Sequence, residues 1–479
     1  MPSRPTLFDD DEFERHEPAV PPADDHGTSS GDPRPSEATR RPNYWFRRSV
    51  LIGGVVAVAA AAVLVVVNLR GSTTDTVESG AIDDDWNRIA LTDLRSGRLV
   101  VANDQGEEVG RVESSVRPVD ASRVVAATGL VVGTDGAAVV DLDSETADAI
   151  DLDDPSMAVP SGTALTMIAA SSGGGRGVLV HGPSGDRLDT AEFAPLVGTR
   201  YEFATALSTP NGRTVLVTDS GNFQSVLLSF DRDEPSYVPD LALAVDDDVV
   251  VTGQNVGVDA TVSVFDHDGE LISSARTPSV RAGMVDDDNV VVVTVEGEVV
   301  TIDTGSGDTE TTSRLEIGTV GSGAVAAAGA VLIVTGTDGT ALVDSDGQVI
   351  ATFLGRRPLD AAWSTRSGAC VVLADEATGD LVAVDLSSGE VRAEAVTDSE
   401  PAASADGCTV AVEVDGEIQV VGETGATTID TEGELVALAP DASAVVVDVD
   451  SRLLLTPIDA PDDTVDLGPS GRSVAFTDR

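Results

Sequence analysis

Two segments of the chain set carboxylates two residues apart in front of a glycine: Asp266-His267-Asp268-Gly269 and Asp344-Ser345-Asp346-Gly347. Hard cations are held by oxygen ligands, and this spacing is the first half of a calcium loop. Neither segment has the bidentate glutamate about eleven positions after the first ligand that completes an EF-hand. An Asp-Gly hairpin turn accounts for the same residues without a metal. Calcium therefore stays a candidate at Asp266, Asp268, Asp344 and Asp346, and no other cofactor is expected.

Other chemistry is thinly represented. All 29 basic residues are arginine, which excludes lysine nucleophiles and Schiff bases. Beyond residue 70 the histidines are His181 and His267, each beside a turn signal, and that region contains neither a G-x-S-x-G elbow nor a paired-histidine zinc motif. Gly173-Gly174-Gly175-Arg176 lacks the lysine and the following helix of a phosphate loop. Cys370 and Cys408 are the two cysteines. An even count in an oxidising compartment permits one bridge, the alternative being two small buried hydrophobes. The compartment favours the bridge, provided that the two backbones approach within about 7 Å.

That compartment follows from Val50–Val67, eighteen consecutive residues that are all apolar or glycine. As a helix the run spans about 27 Å, close to the hydrocarbon thickness of a bilayer. Tyr44, Trp45 and Phe46 precede it, and Arg40, Arg41, Arg47 and Arg48 stand on its N-terminal side against Arg70 on the other. The positive-inside bias puts the N-terminus in the cytoplasm. Residues 1–46 read as a disordered cytoplasmic tail, 47–70 as the membrane helix, 71–84 as a polar tether and 85–479 as one extracytoplasmic domain.

The chain carries 82 acidic residues, giving a formal net charge of −53. Most of this charge follows residue 70, and its field repels nucleic acid and anionic lipid. Asp246-Asp247-Asp248 and Asp286-Asp287-Asp288 each precede a valine-rich run and would make a cation-attracting mouth if they converge.

The domain must position all of these residues with strands. From about residue 85, runs of four to eight Val, Leu, Ile and Ala residues alternate with Gly, Asp, Ser and Asn, and no helical period is sustained. Ala206–Asp219 matches Ala362–Asp375 at an offset of 156 residues, four units of 39. Arg117-Pro-Val-Asp120-Ala121 matches Arg357-Pro-Leu-Asp360-Ala361, placing Asp120 and Asp360 at one repeat position near an innermost strand. Periods near 40 with four strands per unit indicate a β-propeller. About ten units are countable, and seven to ten blades are compatible with the pattern. Arg472–Thr477 looks like a lone strand and Arg88–Val101 like a unit short of its first strand, so one blade is expected to join the two ends of the domain.

The segments LVAVDLSSGEV (381–391) and TVSVFDHDGEL (261–271) resemble the strand-turn-strand core of quinoprotein-like propeller repeats and, more loosely, WD40-like ones. The resemblance is one of fold. It implies a binding or scaffolding module that takes a protein or small-molecule ligand at a propeller face, here anchored in the membrane through Val50–Val67. The alternative is a propeller hydrolase or lyase with carboxylates such as Asp120 and Asp360 converging on the central channel. The topology is directly testable: protease added to intact cells or spheroplasts is expected to remove residues 71–479 and spare an N-terminal tag. Loss of the tag with retention of the domain contradicts it.

Overall fold

The computed structural model describes residues 86–477 except for 94–97, 114–129, 134–135, 142–145, 151–157, 162–163, 171–176, 183–188, 194–202, 210–213, 220–223, 230–235, 287, 327–329, 360–368, 376, 398, 405, 430 and 432. All of these described residues belong to one compact unit, Asp75–Arg479. Val50–Val67, Asp120 and Asp360 lie outside them. Among the described residues no helix is long and apolar enough to cross a membrane.

The described chain is all β. Nine four-stranded antiparallel sheets and one three-stranded sheet follow one another along the sequence. The fifth sheet shows the rule: Leu241–Val245, Val249–Val256, Asp259–Asp266 and Leu271–Pro278 meander in sequence order. Strand pairs close through short turns, as the strand-turn-strand segments imply. First strands of consecutive sheets touch along much of the ring, as between Leu241–Val245 and Val280–Asp286, so they form its inner layer.

Burial falls from the middle strands to the rim. Asn289–Thr294 reads NVVVVT, and its four valines are almost wholly buried. Such an unbroken apolar run arises because both faces of the sheet are covered by neighbouring sheets. Each buried valine contributes about 1.5–3 kcal/mol over an exposed one. The fourth strand alternates instead, Leu271–Pro278 burying every second residue from Ser273.

The core lies between the sheets. One cluster joins Val251, Val262 and Val264 of the fifth sheet to Val290, Val292 and Ile302 of the sixth. A second joins Met284 and Val293 of the sixth to Leu332 and Val343 of the seventh, and the pattern continues from sheet to sheet. The last such cluster packs Val446, Leu453 and Leu455 of the tenth sheet against Ile89 and Leu91 of the first. This is the arrangement of a β-propeller.

The terminal strands close it. Arg472–Thr477 pairs antiparallel with Arg88–Asp93, with Leu91 opposite Val474 and Ile89 opposite Phe476. The first sheet therefore draws its innermost strand from the C-terminus and its other three from the N-terminus. Trp86 reinforces the junction. Its ring packs edge-on against Phe476 at 4.8 Å between centroids, and its Nε1 donates to Asp441 Oδ1 at 3.0 Å and Ser443 Oγ at 3.2 Å in the tenth sheet.

Cys370 and Cys408 are bridged, with Cα atoms 5.0 Å apart. They do not occupy equivalent strand positions. Cys370 starts a strand of the eighth sheet, whereas Cys408 sits in the turn before Val410–Val414 of the ninth and reaches across to its neighbour. Closing 38 residues of chain stabilises the fold by about 2–4 kcal/mol. Deleting residues 472–479 leaves Arg88–Asp93 with an open edge and uncovers Ile89 and Leu91. The expected cost is on the order of 3–5 kcal/mol, seen as a melting temperature about 4–6 °C lower. An unchanged melting temperature contradicts a closed ring.

Candidate binding face

The meander fixes which turns share a face. Turns between first and second strands and between third and fourth strands lie at one end of every sheet. Second-to-third turns and the links between sheets lie at the other. The turn face is acidic in sheet after sheet: Asp247 and Asp248, Asp268 and Glu270, Asp286 and Asp288, Asp308, Asp346, Glu390, Asp406 and Asp441 are exposed there. Among the described residues, Arg88 and Arg392 alone are arginines at strand ends on this face. Arg276, Arg281, Arg314, Arg356, Arg357, Arg452 and Arg472 stand at strand ends on the opposite face, as their pairings place them.

Side-chain hydrogen bonds hold the turns. Asp266 Oδ1 accepts the backbone N–H of Asp268 at 2.9 Å and of Glu270 at 2.8 Å, while Gly269 closes the turn with φ +79°. Asp344 repeats this with Asp346 at 3.1 Å, Gln348 at 2.7 Å and Gly347 at φ +74°. Positive φ favours glycine, which explains the Asp-Gly spacing. Asn103 makes the same pair of bonds, to Gln105 at 3.0 Å and Glu107 at 2.8 Å. A neutral amide thus does the same work, so the first aspartate's role in the turn needs an acceptor oxygen and not a charge. Among the described residues no group of three or more His, Cys, Asp or Glu side chains could hold a metal ion.

Asp246 and Asp286 lie beside the axis, at equivalent ends of neighbouring first strands. Asp246 Oδ1 accepts the backbone N–H of Asp248 at 2.9 Å and of Val249 at 2.7 Å, and the His267 ring contacts the Asp246 carbonyl at 3.0 Å. Burial raises the Asp246 carboxyl above its ordinary range, against the pull of these N–H donors. Asp247 is largely exposed, yet partial desolvation by its neighbours raises its carboxyl as well, with the Asp248 charge adding to it.

Asp385 behaves oppositely. The Ser387 hydroxyl, at 2.7 Å, and the Arg392 guanidinium, at 2.8 Å, hold its carboxyl well below the usual carboxylate range. Arg392 also donates to Glu423 of the ninth sheet at 3.0 Å. Beside this pair a cleft of about 330 Å³ opens between Val391–Glu394 and the Val421–Ala426 turn. Sequence patterning missed the Asp385–Arg392–Glu423 chain; the alternating acid and arginine at residues 385, 390 and 392 was the available signal.

Residues 258–459 match a repeat family described as outer membrane protein assembly factor BamB. No curated protein matches the chain. Among solved structures, BamB from Moraxella catarrhalis is 17% identical, covering 64% of this chain and 91% of its own, with a TM-score of 0.35. Apo AztD from Citrobacter koseri is 12% identical over 82% of this chain and 100% of its own, TM-score 0.36. The dihydro-heme d1 dehydrogenase NirN in complex with DHE is 10% identical over 82% and 75%, TM-score 0.40. At the level of fold the chain is similar to quinoprotein-like β-propellers, as its strand-turn-strand segments imply.

The depressed Asp385 carboxyl ties stability to pH. Its ionised form is favoured in the folded state, so its contribution is fully present above the unfolded pKa near 4 and is lost as pH falls further. Asp385→Asn is expected to cost about 1–2 kcal/mol at pH 7 and to flatten the acid limb of the stability profile below about pH 4. An acid limb identical to that of the parent chain contradicts the assignment.

Proposed function

We propose that the chain is a single-pass membrane protein whose extracytoplasmic β-propeller is a non-catalytic binding or scaffolding module, and that its partner docks on the acidic turn face. One observation carries this reading: exposed carboxylates stand on both faces, but the described arginines stand mostly at the opposite one, so the turn face is left with the larger uncompensated negative charge. Solubility alone asks for charge everywhere and does not sort it by face. Hydrogen-bonded turns display the carboxylates at fixed spacings around the axis, so the partner they fit is a basic segment of a protein. Such contacts speed encounter and select the partner by sign more than they add affinity. The membrane anchor rests on Val50–Val67 and the arginines before it.

The test uses the full-length chain, immobilised in mild detergent, and an arginine-rich peptide as the probe. Binding is expected to weaken steeply with salt. Replacing Asp247, Asp248, Asp268 and Asp346 by asparagine is expected to weaken it about ten-fold or more. Replacing Glu296, Glu316 and Asp338 of the opposite face by their amides changes it little. Equal weakening by both sets, or no binding at low salt, contradicts the reading.

A further inference from the structure

The seam between the eighth and ninth sheets is packed differently from those between the fifth, sixth and seventh. The inner strands of the eighth and ninth sheets are the shortest described: Arg356–Pro358 and Ala402–Ala403. Between the fifth and sixth and between the sixth and seventh sheets, first strand packs on first strand. Here contact runs instead through the outermost strand of the eighth sheet, Val391–Val396, against Val410–Val414 and Glu417–Gly422 of the ninth. The buried cluster between them is built from small side chains, with Ala383, Ala393, Val410, Val412 and Val421 beside Leu381. At the rim the same seam opens into the cleft beside Arg392.

Two side-chain links cross this seam on the turn face. One is the ion pair from Arg392 to Glu423, whose glutamate side chain is 72% exposed. Exposed pairs of this kind are screened and contribute little. The other is covalent. The turn that carries Cys408 is set against Cys370: the Cys370 N–H donates to the Asp406 carbonyl at 2.9 Å, and Asp406 Oδ1 accepts the Cys408 N–H at 2.9 Å. Gly407 holds φ +71° with space for a Cβ only 2.5 Å from the Cys370 carbonyl oxygen, so the two backbones meet where a side chain would keep them apart.

We propose that the Cys370–Cys408 bridge is a redox-sensitive clasp: its reduction opens the seam between the eighth and ninth sheets while the rest of the ring, including the terminal-strand closure, stays folded. The reductant is a dithiol. One of its thiolates attacks a cysteine sulfur, the Cys370–Cys408 bond breaks, and the second thiolate resolves the mixed disulfide. Two electrons pass to the cysteines, the dithiol closes to its own disulfide, and its two protons end on Cys370 and Cys408. The compact core elsewhere lies in large clusters that the bridge does not touch, which is why the opening is local.

Hydrogen exchange read by mass spectrometry on the full-length chain tests this, comparing oxidised protein with protein reduced by dithiothreitol and alkylated. Amides of Cys370–Asp375 and Val410–Val414 are expected to exchange about ten-fold faster or more after reduction, while those of Arg88–Asp93 and Val280–Asp286 change less than about two-fold. Two results overturn the clasp: unchanged exchange at the seam, or faster exchange throughout the ring, including outright unfolding. Glu423→Gln in the oxidised chain is the control. If it opens the seam as far as reduction does, the ion pair and not the bridge is the clasp, and the proposal fails.

Discussion

A four-stranded antiparallel sheet of six-residue strands cannot stand alone in water, because both of its faces are apolar and both must be covered. From the fifth sheet through the tenth to the first, the described sheets meet that constraint by packing their apolar faces against their neighbours. The end sheets of an open row would each leave one apolar face bare. Pairing of Arg472–Thr477 with Arg88–Asp93 removes the ends. Trp86, Phe476 and Asp441 then join the first sheet to the tenth, 355 residues apart in sequence at the Trp86–Asp441 bond. Burial of Ile89, Leu91, Val446 and Leu455 depends on that junction.

What could be read in the sequence was what depends on local patterning. Runs such as Val290–Val293 are continuous and not alternating because the sheets cover one another, and Asp-Gly pairs mark hairpins because the glycine must take positive φ. The lone terminal strand was legible because its partner unit visibly lacked one. Less legible were features set by the ring as a whole. Arg356–Pro358 falls in the repeat match that begins at Arg357, but Ala402–Ala403 is too short to carry a pattern, and the seam between the two sheets leaves no signature. The Trp86 clamp joins residues with no sequence relation. The half-calcium spacing at Asp266 and Asp344 reflects turn chemistry that Asn103 performs without charge, a comparison the sequence already offered. Asp120 and Asp360 lie outside the described residues, so the channel-facing expectation stands as it was.

The same meander that hides the apolar strands sorts the charge. Turns at one end are Asp-Gly or Ser-Gly hairpins whose aspartates are partly structural, each lending an acceptor oxygen to backbone N–H groups. Their neighbours, such as Asp268 and Asp346, are exposed and add to the field of the face. Strand ends at the other face carry the arginines. Turn geometry thus accounts for part of the acidity, and the display of the remaining carboxylates is what a basic partner would meet.

Ring closure is tested most directly by its register. Backbone pairing sets Ala90 opposite Ala475, and directly opposed residues in an antiparallel pair have Cα atoms about 4.5–5.5 Å apart, within disulfide range. Ala90→Cys combined with Ala475→Cys, with the native bridge left intact, should yield a new disulfide that peptide mapping finds between the first and last strands. Introduced thiols that remain fully alkylatable under oxidising conditions, in protein whose Cys370–Cys408 bridge is intact, would contradict the closed ring.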